Sequence, residues 1–143
     1  MRHILIIGGT KGIGKAIIDL LIEENKITCM SRNVSDYKHK NYNHIQLDAT
    51  LDNFPDLEKI DSLVYCPGSI NLKPISTLSI EDFRNDFELN VIGAVKSIKK
   101  YLPHLKKGEN PSILLFSTVA TKLGMPYHAS VSASKSAIDG IVK

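Results

Sequence analysis

The chain has 143 residues, of which 43% are hydrophobic, so it is long enough to fold as one globular domain with its own core. Its 18 Lys and Arg residues outweigh 15 Asp and Glu residues by a net charge of +3, but they are scattered along the chain, which argues against nucleic-acid binding. No apolar run approaches the ~20 residues of a membrane span, so we expect no membrane partner.

Five short apolar runs predict the strands of a sheet, at residues 4–7, 26–30, 44–47, 62–66 and 113–116. The first run has no polar residue and stops at Gly8-Gly9, as expected for a strand buried on both faces of a parallel sheet.

Three segments between and after these runs have helical patterns. The first follows the Gly8-Gly9 stop and has an apolar stripe at helical spacing, formed by Ile13, Ala16, Ile17, Leu20 and Leu21. A capping box at residues 79–82 predicts the start of a long helical region through Leu102, with Pro103 near its end. Residues 33–43 are polar and predict a loop or weak helix, and residues 130–143 predict a final helix.

Strands that alternate with helices predict right-handed βαβ units. We therefore expect an α/β fold, a three-layer Rossmann fold with a doubly wound parallel sheet, as a single domain over residues 1–143. In such sheets a ligand lies beyond the carboxyl ends of the strands. The residues just after each strand are therefore the candidates for a binding site.

The turn after the first strand, Gly8-Gly9-Thr10-Lys11-Gly12-Ile13-Gly14, predicts a phosphate site. It would aim backbone N–H groups and the positive end of a helix at the anion. Residues 9–15 also fit the start of a P-loop, G-x-x-x-x-G-K. However, Ala16 stands where a hydroxyl would hold Mg²⁺, which argues against nucleoside-triphosphate hydrolysis.

The spacing Gly8-x-x-x-Gly12-x-Gly14 resembles the glycine motif of the short-chain dehydrogenases/reductases. Further points of resemblance lie in the same order along the chain: Asp48 after the third strand, Gly68 in Cys66-Pro67-Gly68, Asn90 in the long helix, and Ser134-Lys135 at the end of a Y-x-x-x-K motif. The resemblance implies an oxidoreductase that binds a nicotinamide dinucleotide and acts on a carbonyl or alcohol of a small-molecule substrate. We expect the cofactor to contact Gly8, Thr10, Lys11, Gly12, Ile13, Gly14, Ser31, Arg32, Asp48, Ala49, Gly68, Asn90 and Lys135.

The residues after the second strand point to NADP(H). An acidic residue there would bind the adenosine ribose and repel a 2′-phosphate, but this chain has Ser31 followed by Arg32. Lys11 can approach the same region, and two cations favour a ribose that carries a phosphate. The alternative is that both cations are solvated at the surface.

The family's catalytic tyrosine has no counterpart at its usual position. Four residues before Lys135 stands Val131, and thirteen before that stands Thr118, next to Ser117. The resemblance implies that Lys135 binds ribose, Asn90 supports the network and Thr118 or Ser117 orients the substrate. Tyr127 is our candidate for the proton donor, ahead of Ser132, Ser130 and His128. Val131 itself would be a packing residue with Ile138, Ile141 and Val142.

Two functions therefore remain open. The first is an NADP(H)-dependent oxidoreductase with an unusual proton donor, and the second is a catalytically inactive NADP(H)-binding sensor or scaffold. Because members of the family are longer, we expect the domain to be incomplete at its C-terminal end. The resemblance also implies a homodimer or homotetramer.

The two cysteines, Cys29 and Cys66, lie in or beside apolar runs. This position is typical of free thiols, which predicts a reducing, cytoplasmic environment, and we expect no metal site.

Overall fold

The computed structural model describes all residues, 1–143. Five strands form one sheet: β1 (His3–Ile7), β2 (Lys26–Ser31), β3 (Tyr42–Gln46), β4 (Ser62–Tyr65) and β5 (Ser112–Leu115). All neighbouring strands are parallel, in the order β3-β2-β1-β4-β5. Each predicted strand is present, within one or two residues of its predicted bounds.

Four α-helices flank this sheet. They are α1 (Gly12–Leu21), α2 (Ile80–Phe87), α3 (Gly93–Leu105) and α4 (Ala129–Val142). A π-helical turn (Glu88–Ile92) joins α2 to α3, and a 3₁₀ turn (Val119–Thr121) follows β5. The predicted capping box starts α2, because the Ser79 hydroxyl accepts from the Asp82 N–H and the Asp82 carboxylate accepts from the Ser79 N–H.

The sheet has a packed core on each face. One core lies between the sheet and α3 and includes Leu5, Ile7, Leu63 and Tyr101. The other lies between the sheet and α1 and includes Ile4, Ile6 and Ile18. Because alternate residues of β1 enter opposite cores, the strand is buried on both sides, which explains its unbroken apolar sequence. The three-layer Rossmann fold predicted from the sequence is confirmed.

Several details of the prediction were wrong. The buried residues of α1 are Gly14 and Ile18, followed by Ile22 just after the helix, whereas Ile13 and Leu20 are 59% and 82% exposed. The phase differs because the close approach of Gly14 to the first turn, rather than the densest run of apolar residues, decides which side of α1 faces the sheet.

The other helical regions agree more closely with the prediction. The long helix ends at Leu105, with Pro103 near its end as predicted. Residues 33–41 form the loop that was one of the two predicted alternatives for residues 33–43, and the chain between β3 and β4 also lacks a helix. In α4 Val131 and Ile138 are buried as predicted, but Ile141 and Val142 are 42% and 70% exposed.

The strand order places β1 between β2 and β4. The connection from β1 therefore leads to one side of the sheet, and the connection from β3 crosses back to β4 on the other side. At such a switch point the loops after the two central strands diverge and open a crevice. No helix of the structure has the length and apolar character needed to cross a bilayer.

Candidate cofactor and active site

A cleft of about 320 Å³ opens at this switch point, beyond the carboxyl ends of β1, β2 and β4. Eleven of the thirteen residues that we expected to contact a cofactor line it: Gly8, Thr10, Lys11, Gly12, Ile13, Gly14, Ser31, Arg32, Asp48, Ala49 and Gly68. The cleft therefore joins the glycine turn to the segments after β2, β3 and β4.

Two glycines of the turn have steric reasons to be glycine. Gly12 has a φ of +57°, which side chains rarely adopt, and a Cβ there would project into open space. Gly14 packs against the backbone of the turn, where a Cβ would stand 2.9 Å from the Gly9 Cα and would also clash with the Gly8 carbonyl oxygen. The turn is thus tightly wound beneath an open cleft.

The amino end of α1 is free to bind an anion. Its N-cap residue, Lys11, forms no side-chain hydrogen bond to the helix, and no acidic residue occupies the first turn. The first N–H groups of the helix therefore have no capping side chain, and the helix dipole adds positive potential. This end lies in the lining of the cleft at Gly12, Ile13 and Gly14.

The structure argues against the P-loop reading of the same turn. Lys15 would have to reach the phosphates, but its ammonium lies 2.6 Å from the Asp19 carboxylate on the outer side of α1 and 5.7 Å from the centre of the Tyr37 ring. Lys15 is also absent from the lining of the cleft.

The far end of the cleft carries Arg32, whose side chain is exposed, and Ser31, which is buried. The Ser31 hydroxyl donates to the Asn33 carbonyl oxygen (2.9 Å) and lies 2.8 Å from His44 Nε2. Because the single Ser31 hydrogen is used, its hydroxyl can offer only a lone pair to a ligand. Arg32 is thus the charged donor of this end.

Asp48 lies beside Arg32 but has partners of its own. Its carboxylate accepts from the Thr50 N–H (2.9 Å) and hydroxyl (2.6 Å). Burial acts to raise the pKa of Asp48, but these hydrogen bonds and the Arg32 charge outweigh it and hold the pKa below its ordinary value. The carboxylate is therefore an ionised acceptor at neutral pH.

Asn90 lies in the π-helical turn and is 1% exposed. Its Nδ2 donates to the Asp86 carbonyl oxygen (2.8 Å) and to the Ser69 hydroxyl (3.2 Å). Its Oδ1 is buried without a hydrogen-bond partner. A buried acceptor of this kind is rare in native proteins and indicates a donor that arrives from outside the chain.

Lys135 and Asn90 meet at Gly68. A Cβ on Gly68 would stand 3.1 Å from Asn90 Oδ1 and 3.6 Å from Lys135 Nζ, so only glycine leaves this corner of the cleft open. The Lys135 ammonium donates to the Phe116 carbonyl oxygen (2.8 Å) and has two further hydrogens to offer. Burial lowers the pKa of Lys135, and the nearby Cys66 opposes that shift.

The two hydroxyl candidates after β5 lie outside the lining of the cleft. Thr118 accepts from the Ala120 N–H (3.3 Å) and caps the 3₁₀ turn. Ser117 is exposed, and its hydrogen bonding is the first cause of the lowered pKa of Asp139 on α4. The Lys135 ammonium nevertheless reaches this segment, because it donates to the carbonyl oxygen of Phe116, the residue before Ser117.

Val131 is 5% exposed, and no ionisable group replaces the tyrosine at its position. Tyr127 lies in a separate pocket with His128 and Ser132. It is 57% exposed and has a φ of +66°, a strained conformation for an aromatic residue. His128 Nδ1 lies 2.7 Å from the Pro126 carbonyl oxygen, so Nδ1 carries the hydrogen and Nε2 faces outward as an acceptor in the neutral ring.

Part of this site carries no sequence motif. The cleft is also lined by Met30, Asn33, Leu47 and Leu89, which no motif identified. Burial raises the pKa of Cys66, another lining residue, to about 11, so its thiol is protonated and unreactive at neutral pH. Asp86, fully buried beneath Asn90, was missed because its partners are distant in sequence.

Curated relatives of the chain are oxidoreductases. An uncharacterized oxidoreductase of Schizosaccharomyces pombe is 26% identical over an alignment of length 156, gaps included. The alignment covers 99% of this chain and 63% of the relative. Cyclopentanol dehydrogenase of Comamonas is 25% identical, and the alignment covers 96% of this chain and 62% of that enzyme. The chain thus spans less than two thirds of the length of these relatives.

Solved structures share the fold. A short chain dehydrogenase family protein from Francisella tularensis superposes with a TM-score of 0.87 at 25% identity, covering 100% of this chain and 62% of that one. ElxO, solved with NADP bound, superposes with a TM-score of 0.82 at 24% identity. The superposition covers 99% of this chain and 65% of ElxO. A model of the short chain dehydrogenase family matches residues 2–143. The chain therefore belongs to the short-chain dehydrogenase family of oxidoreductases, which use a nicotinamide cofactor and act on small molecules.

Proposed function

We propose that this chain binds NADP(H) and belongs to an oxidoreductase that reduces a carbonyl or oxidises an alcohol. The observation that carries the proposal is the corner at Gly68, where an unpartnered buried acceptor, Asn90 Oδ1, lies beside a lysine with free donors. An uncapped helix end lies at the glycine turn of the same cleft. These features fit a ligand that carries an anion at one end and ribose hydroxyls and an amide at the other.

The preference for NADP(H) is supported by charge. Arg32 lines the cleft after β2, and Lys11 lines it at the glycine turn. No carboxylate occupies the position after β2 that would bind an unphosphorylated ribose. A guanidinium and an ammonium beside a dianionic phosphate favour the phosphorylated cofactor. ElxO, whose structure contains NADP, has the same fold.

The nicotinamide ring, when bound, would supply or accept the hydride. Lys135 would hold the adjoining ribose through its two free hydrogens, and Asn90 Oδ1 would accept from a donor at that end. For the substrate proton we propose Tyr127, since its positive φ and exposed phenol place a hydroxyl in a pocket of about 520 Å³. Ser132 is less suited because its hydroxyl already donates to the Ala120 carbonyl oxygen at 2.7 Å.

The buried Val131 favours a second function, in which the chain binds NADP(H) without catalysis. General acid–base catalysis is worth about 10²–10⁴ in rate, so its loss would remove most turnover and leave binding intact. Titration of NADPH and NADH by calorimetry tests the shared claim: we expect tighter binding of NADPH, and equal or tighter binding of NADH would refute the preference. Turnover over a panel of carbonyl compounds that Tyr127→Phe abolishes would identify the enzyme and its proton donor. Binding without turnover would establish the second function.

The environment and assembly of the chain are also proposals. Both cysteines are free, which supports a reducing, cytoplasmic location. A groove between α2 and α4 exposes apolar side chains, with Ile80 69% and Phe87 43% exposed, which supports a homodimer or homotetramer through these helices. Sedimentation of the protein, with Phe87→Glu as the disrupting variant, tests the assembly.

A further inference from the structure

Asp86 is a fully buried carboxylate without a cationic partner. It is 0% exposed, and no ion pair of the structure includes it. A buried charge without compensation is strongly unfavourable, so its hydrogen bonds must supply the stabilisation. Neither the glycine turn nor the cleft uses this group.

Three neutral side chains donate to the Asp86 carboxylate. Ser69 (2.5 Å) and Asn71 (3.0 Å) donate to Oδ1 from the loop after β4, and Ser130 (2.6 Å) donates to Oδ2 from the first turn of α4. The carboxylate thus ties three segments together. These segments carry Gly68, Asn90 and Lys135, which meet at one corner of the cleft.

The direction of each hydrogen bond follows from the chemistry of the groups. The Ser69 hydroxyl donates to Asp86 Oδ1, so its single hydrogen is committed to that carboxylate. Towards Asn90, the Ser69 hydroxyl can then only accept, and its partner is Asn90 Nδ2 at 3.2 Å. The second Nδ2 hydrogen is used by the Asp86 carbonyl oxygen. With both amide hydrogens occupied, Oδ1 is the atom of Asn90 that is left facing Gly68.

We propose that Asp86 is a positioning residue, which acts through Ser69 to present Asn90 Oδ1, and through Ser69 and Ser130 to hold Gly68 and Lys135, at the nicotinamide end of the bound dinucleotide. This rests on the proposed function for the identity of the ligand. The arrangement of the chain's own side chains is tested separately.

Two matched pairs of variants test the proposal. Asp86→Asn and Ser69→Ala break the connection to Asn90. Asp61→Asn and Ser97→Ala are controls, since Asp61 is a buried carboxylate that accepts from the His3 and Glu109 N–H groups, and the Ser97 hydroxyl donates only to Ala94 of its own helix.

The first readout needs no ligand. The Asn90 side-chain amide, assigned in nitrogen–proton correlation spectra with Asn90→Asp, should exchange slowly with water in the wild type. We expect Asp86→Asn and Ser69→Ala to shift this signal and speed its exchange, and the two controls to leave it in place. An unchanged Asn90 signal in Asp86→Asn would overturn the proposal, even if the wild type bound no dinucleotide.

The second readout compares NADPH with 2′,5′-ADP, which occupies only the adenosine end. Asp86→Asn and Ser69→Ala should weaken NADPH binding roughly fivefold to tenfold, the equivalent of one hydrogen bond, and leave 2′,5′-ADP binding within about twofold. Equal loss of both affinities would assign Asp86 to general stability and overturn the proposal. Failure of the wild type to bind either ligand would refute the proposed function, and the amide signal would then decide the role of Asp86.

Discussion

Replacing Val131 by tyrosine should create or greatly raise carbonyl-reductase activity. Val131 lies four residues before Lys135, so the two share one face of α4. The half-buried ammonium of Lys135 would stand near the new phenol and lower the pKa of that phenol from the ordinary value of about 10. The new hydroxyl would then supply the proton that valine lacks.

The substitution should raise the rate of proton transfer and lower the stability of the fold. Acid–base catalysis is worth about 10²–10⁴ in rate, or about 3–5 kcal/mol of barrier. Val131 is 5% exposed, so an aromatic ring at this position overpacks the site and destabilises the fold by about 1–3 kcal/mol. Val131→Phe is the matched control, because it adds the ring without the hydroxyl.

The assay is loss of NADPH absorbance with a panel of aldehydes and ketones, together with thermal melting of both variants. We expect the two variants to melt at similarly lowered temperatures, and Val131→Tyr to turn over at least about 10²-fold faster than Val131→Phe. Equal turnover by both variants would refute the reasoning that position 131 is the place from which a proton donor acts beside Lys135.

Three further predictions concern the turn, the cofactor preference and acid stability. Gly14→Ala should abolish NADPH binding and lower stability by about 1–3 kcal/mol, whereas Gly140→Ala, where a Cβ meets open space, should gain about 0.5–1 kcal/mol; calorimetry and denaturant unfolding check both. Arg32→Ala should raise the NADPH dissociation constant about tenfold and leave that for NADH unchanged, and an equal effect on both would argue against contact with a 2′-phosphate. Hydrogen bonding from the His3 N–H, first among several causes, lowers the pKa of Asp61 below 3.8, so its contribution to stability is present above that pH and is lost as the pH falls through the folded-state pKa. Acid unfolding should therefore be less steep in Asp61→Asn, and identical profiles would contradict this role.

The sequence predicted the sheet because its signals are local. The run at residues 4–7 has no polar residue and stops at Gly8, and it lies on a strand buried on both faces. The capping box of Ser79 and Asp82 was likewise readable, because both partners lie within one turn. The side of α1 that faces the sheet could not be predicted. The contact that fixes the rotation of this helix joins Gly14 to the backbone of Gly8, and composition does not show that contact.

In the candidate site, too, residues that are contiguous in sequence could be predicted, and residues that only the fold brings together could not. The glycine turn at one end of the cleft could be predicted because its residues are contiguous from Gly8 to Gly14. The Asp86 cluster could not, because its donors come from a loop about 15 residues upstream and from a helix 44 residues downstream. Ser117 and Thr118 stay candidates placed by counting residues, and counting does not show the partners that the folded chain gives them, the Ala120 N–H for Thr118 and Asp139 for Ser117.

The position of a bound dinucleotide tests the proposed site most directly. Crystals grown with NADP⁺ should show its pyrophosphate over the N–H groups from Gly12 to Gly14, its 2′-phosphate beside Arg32 and its carboxamide end at Asn90 and Lys135. A dinucleotide bound elsewhere, or no binding in solution at millimolar concentration, would contradict the account.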